Sequence, residues 1–468
     1  MTSHPYTPSL VPYWSLQTRG VIEVLWLLTV FLVPLMFVTP GIMANGYDIP
    51  KVTLYRSLVG LMCSLWIIEA GLARPAFLVA VSRLSPSLLR EWLLAQPGRW
   101  VMVAAWMLVA SSLISTLLSP SILVSLWGSE PALDGNSFYN TLSHFLLFLV
   151  LATHLKSAAQ LWRLLGAITA SGVAVGFYAL VQYYGLDPFG IHGAGAGVVS
   201  SLGNPIFAGA FLLLVAPMIL ALALKTSGAS ATPIKKICWV IPLTILMLGM
   251  AFTQARGPWI GLAAQLTVFL ALLGMAVGWH ASLRALLMSA AAVALTWAVA
   301  TFIPPPTGGV NLAPRALSAG SILVSTLTAE LPSRQPSFAA ADDSASATPG
   351  SMETRLILWK SAVQMALNRP WFQPEDRPLP LSLHLFGYGP EFFQYLFPLI
   401  HPRELSNLNI GTVYYAANEA HNYTLNWWVE LGIFGVASHL ALLGSVAVSA
   451  SGLFWTRGQR STSIKKLL

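Results

Sequence analysis

His421, in the run AHNY, is the side chain best suited to moving a proton near neutral pH. A neutral imidazole with a reference pKa of about 6.5 can accept a proton from a hydroxyl held against it. It stands where a late loop re-enters an apolar segment, a place where a lone His also serves as a purely structural group. Arg256, in TQARGPWIG, falls in a hairpin of a few residues between two apolar segments. One reading is a snorkelling Arg that caps a helix C-terminus. The other is an anion site, because a guanidinium is permanently charged and its fork of donors fits phosphate oxygens. Arg355 opens the helical stretch ETRLILWKSAVQMALN, with Trp359 one turn later, and taken alone it reads as a solvated helix charge. Glu430 lies at the outer end of the last apolar segment, where a carboxylate is a functional candidate or a group packed into the bundle.

The absent motifs narrow the chemistry. Asp342 and Asp343 sit in a Pro/Ser/Ala-rich insert, and Glu375 and Asp376 in a Pro-rich stretch, so no DxD-type pair is formed. There is no HExxH, CxxC, P-loop or GxSxG sequence, and Gly387-Tyr388-Gly389 is too short a signal for nucleotide binding. Metal-dependent chemistry and nucleotide use are both disfavoured, and no metal or cofactor is expected. Two arginines and one histidine remain.

The elements that must position them are membrane helices. Only 9% of the residues are charged, 56% are hydrophobic and the mean hydropathy is +0.68, whereas a soluble chain carries about 25% charged residues. The net charge of +8 has no basic run with interleaved aromatics, so nucleic acid is not an expected partner. The Lys and Arg residues sit between apolar spans, where they meet anionic headgroups. Cys63 and Cys238 fall inside spans and read as small buried hydrophobes. The first span lacks a small-residue cleavage site and reads as a retained helix.

Ten spans are expected, near 21–38, 52–72, 100–118, 137–155, 161–183, 205–224, 237–254, 258–278, 284–303 and 427–455. If they alternate, Arg74, Arg83, Arg90, Arg99, Lys156, Arg163, Lys225, Lys235, Lys236, Arg284 and the Arg457–Lys466 tail all lie on one side. The opposite short loops carry only Lys51 and Arg256. Both termini are therefore expected in the cytoplasm. The fold class is an all-α polytopic bundle in three parts: spans over 1–303, a large extracytoplasmic loop over 304–426, and a last span with a basic tail over 427–468. Within the loop, 304–350 reads as a flexible insert and 353–426 as a partly helical, catalytic segment.

These residues resemble the bacterial O-antigen ligase family and its polymerase relatives. HNYTLNWWVELGIFG is similar to the family's His motif, with His421, Asn422, Gly432 and Gly435 at the matching positions. TQARGPWIGL, with Gly257 after Arg256, resembles its RG-x-W segment, and ETRLILWKSAVQMALNRPWF followed by GYGPEFF resembles its loop helix. SLGNPIFAGAFLLL and YDIPKVTLYR are similar to further common segments. Members usually carry two more spans after the His motif than this sequence does, which suggests a dispensable pair or a truncated frame.

The resemblance implies a GT-C-like glycosyltransferase bundle at the bacterial inner membrane, with its active site on the periplasmic face. Donor and partner would be an undecaprenyl-diphosphate-linked glycan and a glycan, lipid or protein acceptor, within the lipid bilayer. His421 would activate the acceptor hydroxyl, Arg256 and Arg355 would bind the diphosphate, and Asn422, Gly432, Gly435, Glu430, Trp359 and Gly257 would support them. Ligase and polymerase would use the same residues. A transporter or flippase of lipid-linked glycans would instead show internal repeats and paired midplane charges, and neither is seen. A catalytically dead scaffold is the third alternative.

Overall fold

The computed structural model describes residues 11–39, 46–72, 98–128, 135–190, 197–226, 238–303, 352–372, 380–400 and 419–455, with a few isolated positions between them. The insert expected over 304–350 and the basic tail beyond 455 lie outside the described residues. Among those described, the regular structure is helical throughout: α1 (Val11–Leu35), α2 (Asp48–Leu72), α3 (Gly98–Leu117), α4 (Ile122–Trp127), α5 (Phe138–His154), α6 (Ala158–Tyr183), a 3₁₀ turn (Ser200–Leu202), α7 (Pro205–Thr226), α8 (Val240–Phe252), α9 (Arg256–Ala276), α10 (Trp279–Phe302), α11 (Met352–Asn368), α12 (Pro380–Phe386), α13 (Phe393–Ile400) and α14 (Tyr423–Trp455).

Eight of these helices are long and apolar enough to cross a membrane. They coincide with eight of the ten expected spans, and the chain is an integral membrane protein of the polytopic helical class. The other two are shorter than the sequence suggested. α5 has 17 residues, because the chain turns at Leu155-Lys156 and Ser157 starts α6 with a reciprocal capping box to Gln160. α8 has only 13 residues, about 20 Å at 1.5 Å per residue against a hydrocarbon layer of about 30 Å. It ends where Thr253 bonds back to the Met250 carbonyl and Gln254 takes a positive φ of 56°.

The chain forms two compact units that alternate along the sequence. The first comprises Met1–Leu72, Val150–Ser333 and Thr456–Leu468; the second comprises Ala73–Leu149 and Arg334–Trp455. In the first, α6 packs along α8 and α1 against α2 and α6. Its apolar core includes Leu212, Ile219, Leu220, Leu243 and Met247. Small residues let the helices approach: a side chain at Gly172 would overlap Val215, and one at Gly249 would press on the Gly176 backbone. Polar links tie the helix ends together. Glu69 accepts from Arg19 Nε at 2.6 Å and lies 2.9 Å from His154 Nε2, while Glu23 accepts from Arg163 Nε at 2.6 Å. Lys51, one of the two cations expected on the sparse side, is spent on structure. Its ammonium donates to the carbonyls of Met36 and Ser201, each at 2.6 Å. That contact joins the YDIPK and SLGNP segments, and Gly203 sits where any side chain would overlap the Tyr47 ring.

In the second unit, α3 runs along α14. α11, α12 and α13 gather on α14 through a core that includes Leu358, Met365, Phe393, Phe397 and Val429. Apolar side chains that point outward, such as Leu440, Leu443 and Val446 on α14, are about half exposed, as a lipid-facing surface requires.

Candidate active site

α14 is two helices joined at Gly432, whose φ of 65° and ψ of −161° belong to neither. That backbone region is nearly exclusive to glycine. The break explains why an apolar stretch carries a Gly after Glu430-Leu431. The remaining Ile433–Ser451 segment, within the span, is about 28 Å long at 1.5 Å per residue and can cross a membrane by itself. The nine residues before the break, Tyr423–Leu431, form a separate short helix, called the half-helix below.

A helix that stops leaves its last carbonyls without intrahelical donors. Here each is met. The guanidinium of Arg369 donates from Nη2 to the Trp428 carbonyl and from Nη1 to the Val429 carbonyl, both at 2.8 Å. Tyr388 N–H also reaches Val429, at 3.3 Å, and Gly389 N–H reaches Glu430, at 2.8 Å. The Ser115 hydroxyl donates to the same Glu430 carbonyl at 2.7 Å. The glycines of FGYGPEFF therefore hold backbone against backbone. A side chain at Gly387 would strike the Glu430 carbonyl, and one at Gly389 would strike Ser119 and Ser125. Burial lowers the Arg369 pKa to about 10, which leaves it cationic at neutral pH. Its charge also lies 5.4 Å from the centre of the Tyr388 ring.

His421 stands at the other end of the half-helix. The Asn422 side chain accepts from the N–H groups of Thr424 (3.1 Å) and Leu425 (3.2 Å), as an N-cap should. Asn426, one turn on, accepts from Ala420 N–H at 3.0 Å and ties down the incoming strand of chain. His421 has a positive φ of 50°, uncommon for a residue with a side chain. Its Nδ1 is 3.0 Å from Glu419 Oε1, and both side chains keep about a third of their surface exposed. Glu430 is buried, its carboxylate accepting from Phe393 N–H at 3.3 Å at the start of α13. It fixes the loop, which favours the packing alternative for that residue. Gly435 lies just past the break, close to Leu431.

Arg355 and Trp359 share one face of α11. Arg355 Nε and Trp359 Nε1 are buried donors without a hydrogen-bond partner among the described residues. Most buried polar atoms are satisfied, so two unmet donors one turn apart are a pair that an anion could meet.

Arg256, in the first unit, is exposed. It does not cap a helix C-terminus, as one reading had it. α8 ends at Phe252, three residues pass in a turn, and Arg256 is the first residue of α9, whose N-cap Ala255 offers no side-chain acceptor. A cation there faces the positive end of the helix dipole, so helix stability does not account for it. The turn is braced from behind: Val198 N–H donates to the Phe252 carbonyl at 3.1 Å, and Gly197 lies where a side chain would overlap the Thr253 carbonyl. Gly257 has open space around it.

Sequence reading missed Glu419 and Arg369. Glu419 is two residues from the His and carried no signal of its own. Arg369 stands before Pro370, where a left-handed φ of 46° is doubly uncommon, and an Arg-Pro pair at a helix end was its only trace.

Searches of the curated proteins and of the solved structures gave no match. The family model described as O-antigen ligase matches residues 241–440. That stretch holds the Arg256 turn, α11, the Gly387–Gly389 contact, His421 and the break in α14 at Gly432. The match spans 200 of the chain's 468 residues, and over that stretch the chain is similar to the O-antigen ligase family.

Proposed function

We propose that the protein transfers a glycan from a polyprenyl-diphosphate carrier, of the undecaprenyl type, to a hydroxyl of an acceptor at the periplasmic face of the inner membrane. The observation that carries this reading is the His421–Glu419 pair at 3.0 Å, poised at the mouth of a capped half-helix. With the Nδ1 proton shared with the Glu419 carboxylate, Nε2 is the basic nitrogen. The acceptor oxygen attacks the anomeric carbon while its proton passes to Nε2. The bond from that carbon to the phosphate oxygen breaks, and the electron pair leaves with the diphosphate. Glu419 then stabilises the imidazolium.

Negative charge grows on the departing diphosphate, and a fixed guanidinium can stabilise it as a divalent ion does elsewhere. Arg355, whose Nε has no partner among the described residues, fits that role, and Trp359 Nε1 adds a second donor one turn on. Arg256, a guanidinium at an uncapped helix start, has the chemistry of a diphosphate ligand in its own right. Ligase and polymerase differ only in the acceptor.

The test uses the full chain in detergent or nanodiscs with carrier-linked glycan and a hydroxyl acceptor, with product resolved by mobility. Transfer is expected to persist in EDTA. His421→Ala is expected to lower it by about 10²–10⁴-fold, the usual contribution of a general base. Full activity in His421→Ala would remove the base assignment, and a strict divalent-ion requirement would remove the metal-free mechanism.

A further inference from the structure

The half-helix connects two things that the transfer reading treats separately. At its N-terminal end is His421, and at its C-terminal end is the buried guanidinium of Arg369. The Trp428 carbonyl has the Arg369 Nη2 as its donor from outside the helix, and the Val429 carbonyl has Nη1 in addition to a longer bond from Tyr388. A planar fork that holds two successive carbonyls fixes both the position and the rotation of the helix end. From Trp428 back to Tyr423 is five residues, about 7.5 Å at helical rise, and His421 lies two residues before that start, tied to it by the Asn422 cap and the bond from Ala420 N–H to Asn426. A rod this short does not bend, so a rotation at one end moves the imidazole at the other.

We propose that Arg369 is a positioning residue: its two-pronged hold on the Trp428 and Val429 carbonyls sets the half-helix, and through it the place of the His421 imidazole. This rests on His421 as the base. Arg369 touches neither the proton nor the diphosphate, and its fork rather than its charge carries the role. An ammonium cannot hold both carbonyls in one plane.

Three variants of the full chain test it. Arg369→Gln removes the fork and the charge, Arg369→Lys keeps the charge, and Met365→Ala removes core volume on α11 without touching the half-helix carbonyls. Spin labels at Lys360→Cys and Tyr423→Cys, in a background with Cys63 and Cys238 replaced by Ser, report the half-helix against α11. For Arg369→Gln, kcat is expected to fall at least tenfold with the donor KM within threefold, and the label distances to broaden. Arg369→Lys is expected to lose kcat about fivefold with unchanged melting. Met365→Ala is expected to melt earlier but keep kcat within twofold and the distances narrow. Wild-type kcat in Arg369→Lys, or narrow distances in Arg369→Gln, would overturn the proposal. Should the wild type transfer no glycan while Arg369→Gln still broadens the distances, the hold on the half-helix stands and the transfer reading fails.

Discussion

In the first unit, Gly172 on α6 lies where a side chain would meet three atoms of Val215, all of them side-chain atoms. In the second, Gly432 lies where a side chain would meet the Leu385 carbonyl and the Phe386 nitrogen, which are backbone, and its own φ and ψ exclude other residues. Both are glycines in apolar helices, yet only the first is a packing choice. Helices in lipid associate through close contact of small residues, and such contacts can readjust. The broken α14 is held by directed hydrogen bonds to its own carbonyls, from the Arg369 fork, the Ser115 hydroxyl and two backbone N–H groups, which tolerate far less shift. At these two positions, then, the first unit fits one helix to another, and the second holds one geometry.

The largest way to break that contrast is Gly432→Ala. It places a Cβ in a backbone region reserved for glycine and against a carbonyl, so a loss of about 3 kcal/mol or more is expected. The measurement is protease resistance of the 352–400 segment in detergent, which should vanish. A variant as resistant as the wild type would show that the break can relax. Next is Gly172→Ala, expected to destabilise by about 1–2 kcal/mol through overpacking. Val215→Ala in the same chain should return much of that, because it removes the atoms in the way. Additive losses in the double variant would mean that the first unit is as unyielding as the second. The smallest effect belongs to Arg19→Gln. Its partner Glu69 is nearly buried but Arg19 is half exposed, and about 0.5 kcal/mol is expected, shrinking as salt is raised. A loss several times larger in thermal melting would count against that ranking.

Much of this was legible in the sequence, and the limits are physical. Composition and span length announce a helical membrane protein, because burying a backbone in lipid leaves few solutions. Hydropathy overstated α5 and α8, since it does not register the Ser157 capping box or the turn at Thr253-Gln254 that end them. His421 stood out as an interfacial imidazole within a spaced motif. Arg369 did not. Its role depends on carbonyls 59 and 60 residues away that are accessible only because Gly432 interrupts the helix, and no periodicity encodes that. Gly387 and Gly389 were dismissed as a nucleotide motif for sound reasons, but two glycines around one residue were still the trace of a backbone contact.

The bond from Ser115 to the Glu430 carbonyl spans 315 residues of chain. Ribosomes add about 5–20 residues per second, so α3 waits on the order of 15–60 s for the helix it packs along. Through that interval the Ser115 hydroxyl, on a stretch that also carries Ser111 and Ser112, lacks the Glu430 carbonyl it bonds in the finished fold. Biogenesis of this fold therefore passes through a stage in which that hydroxyl enters the bilayer without its final partner, and during that stage the insertion machinery or a neighbouring helix must shield it.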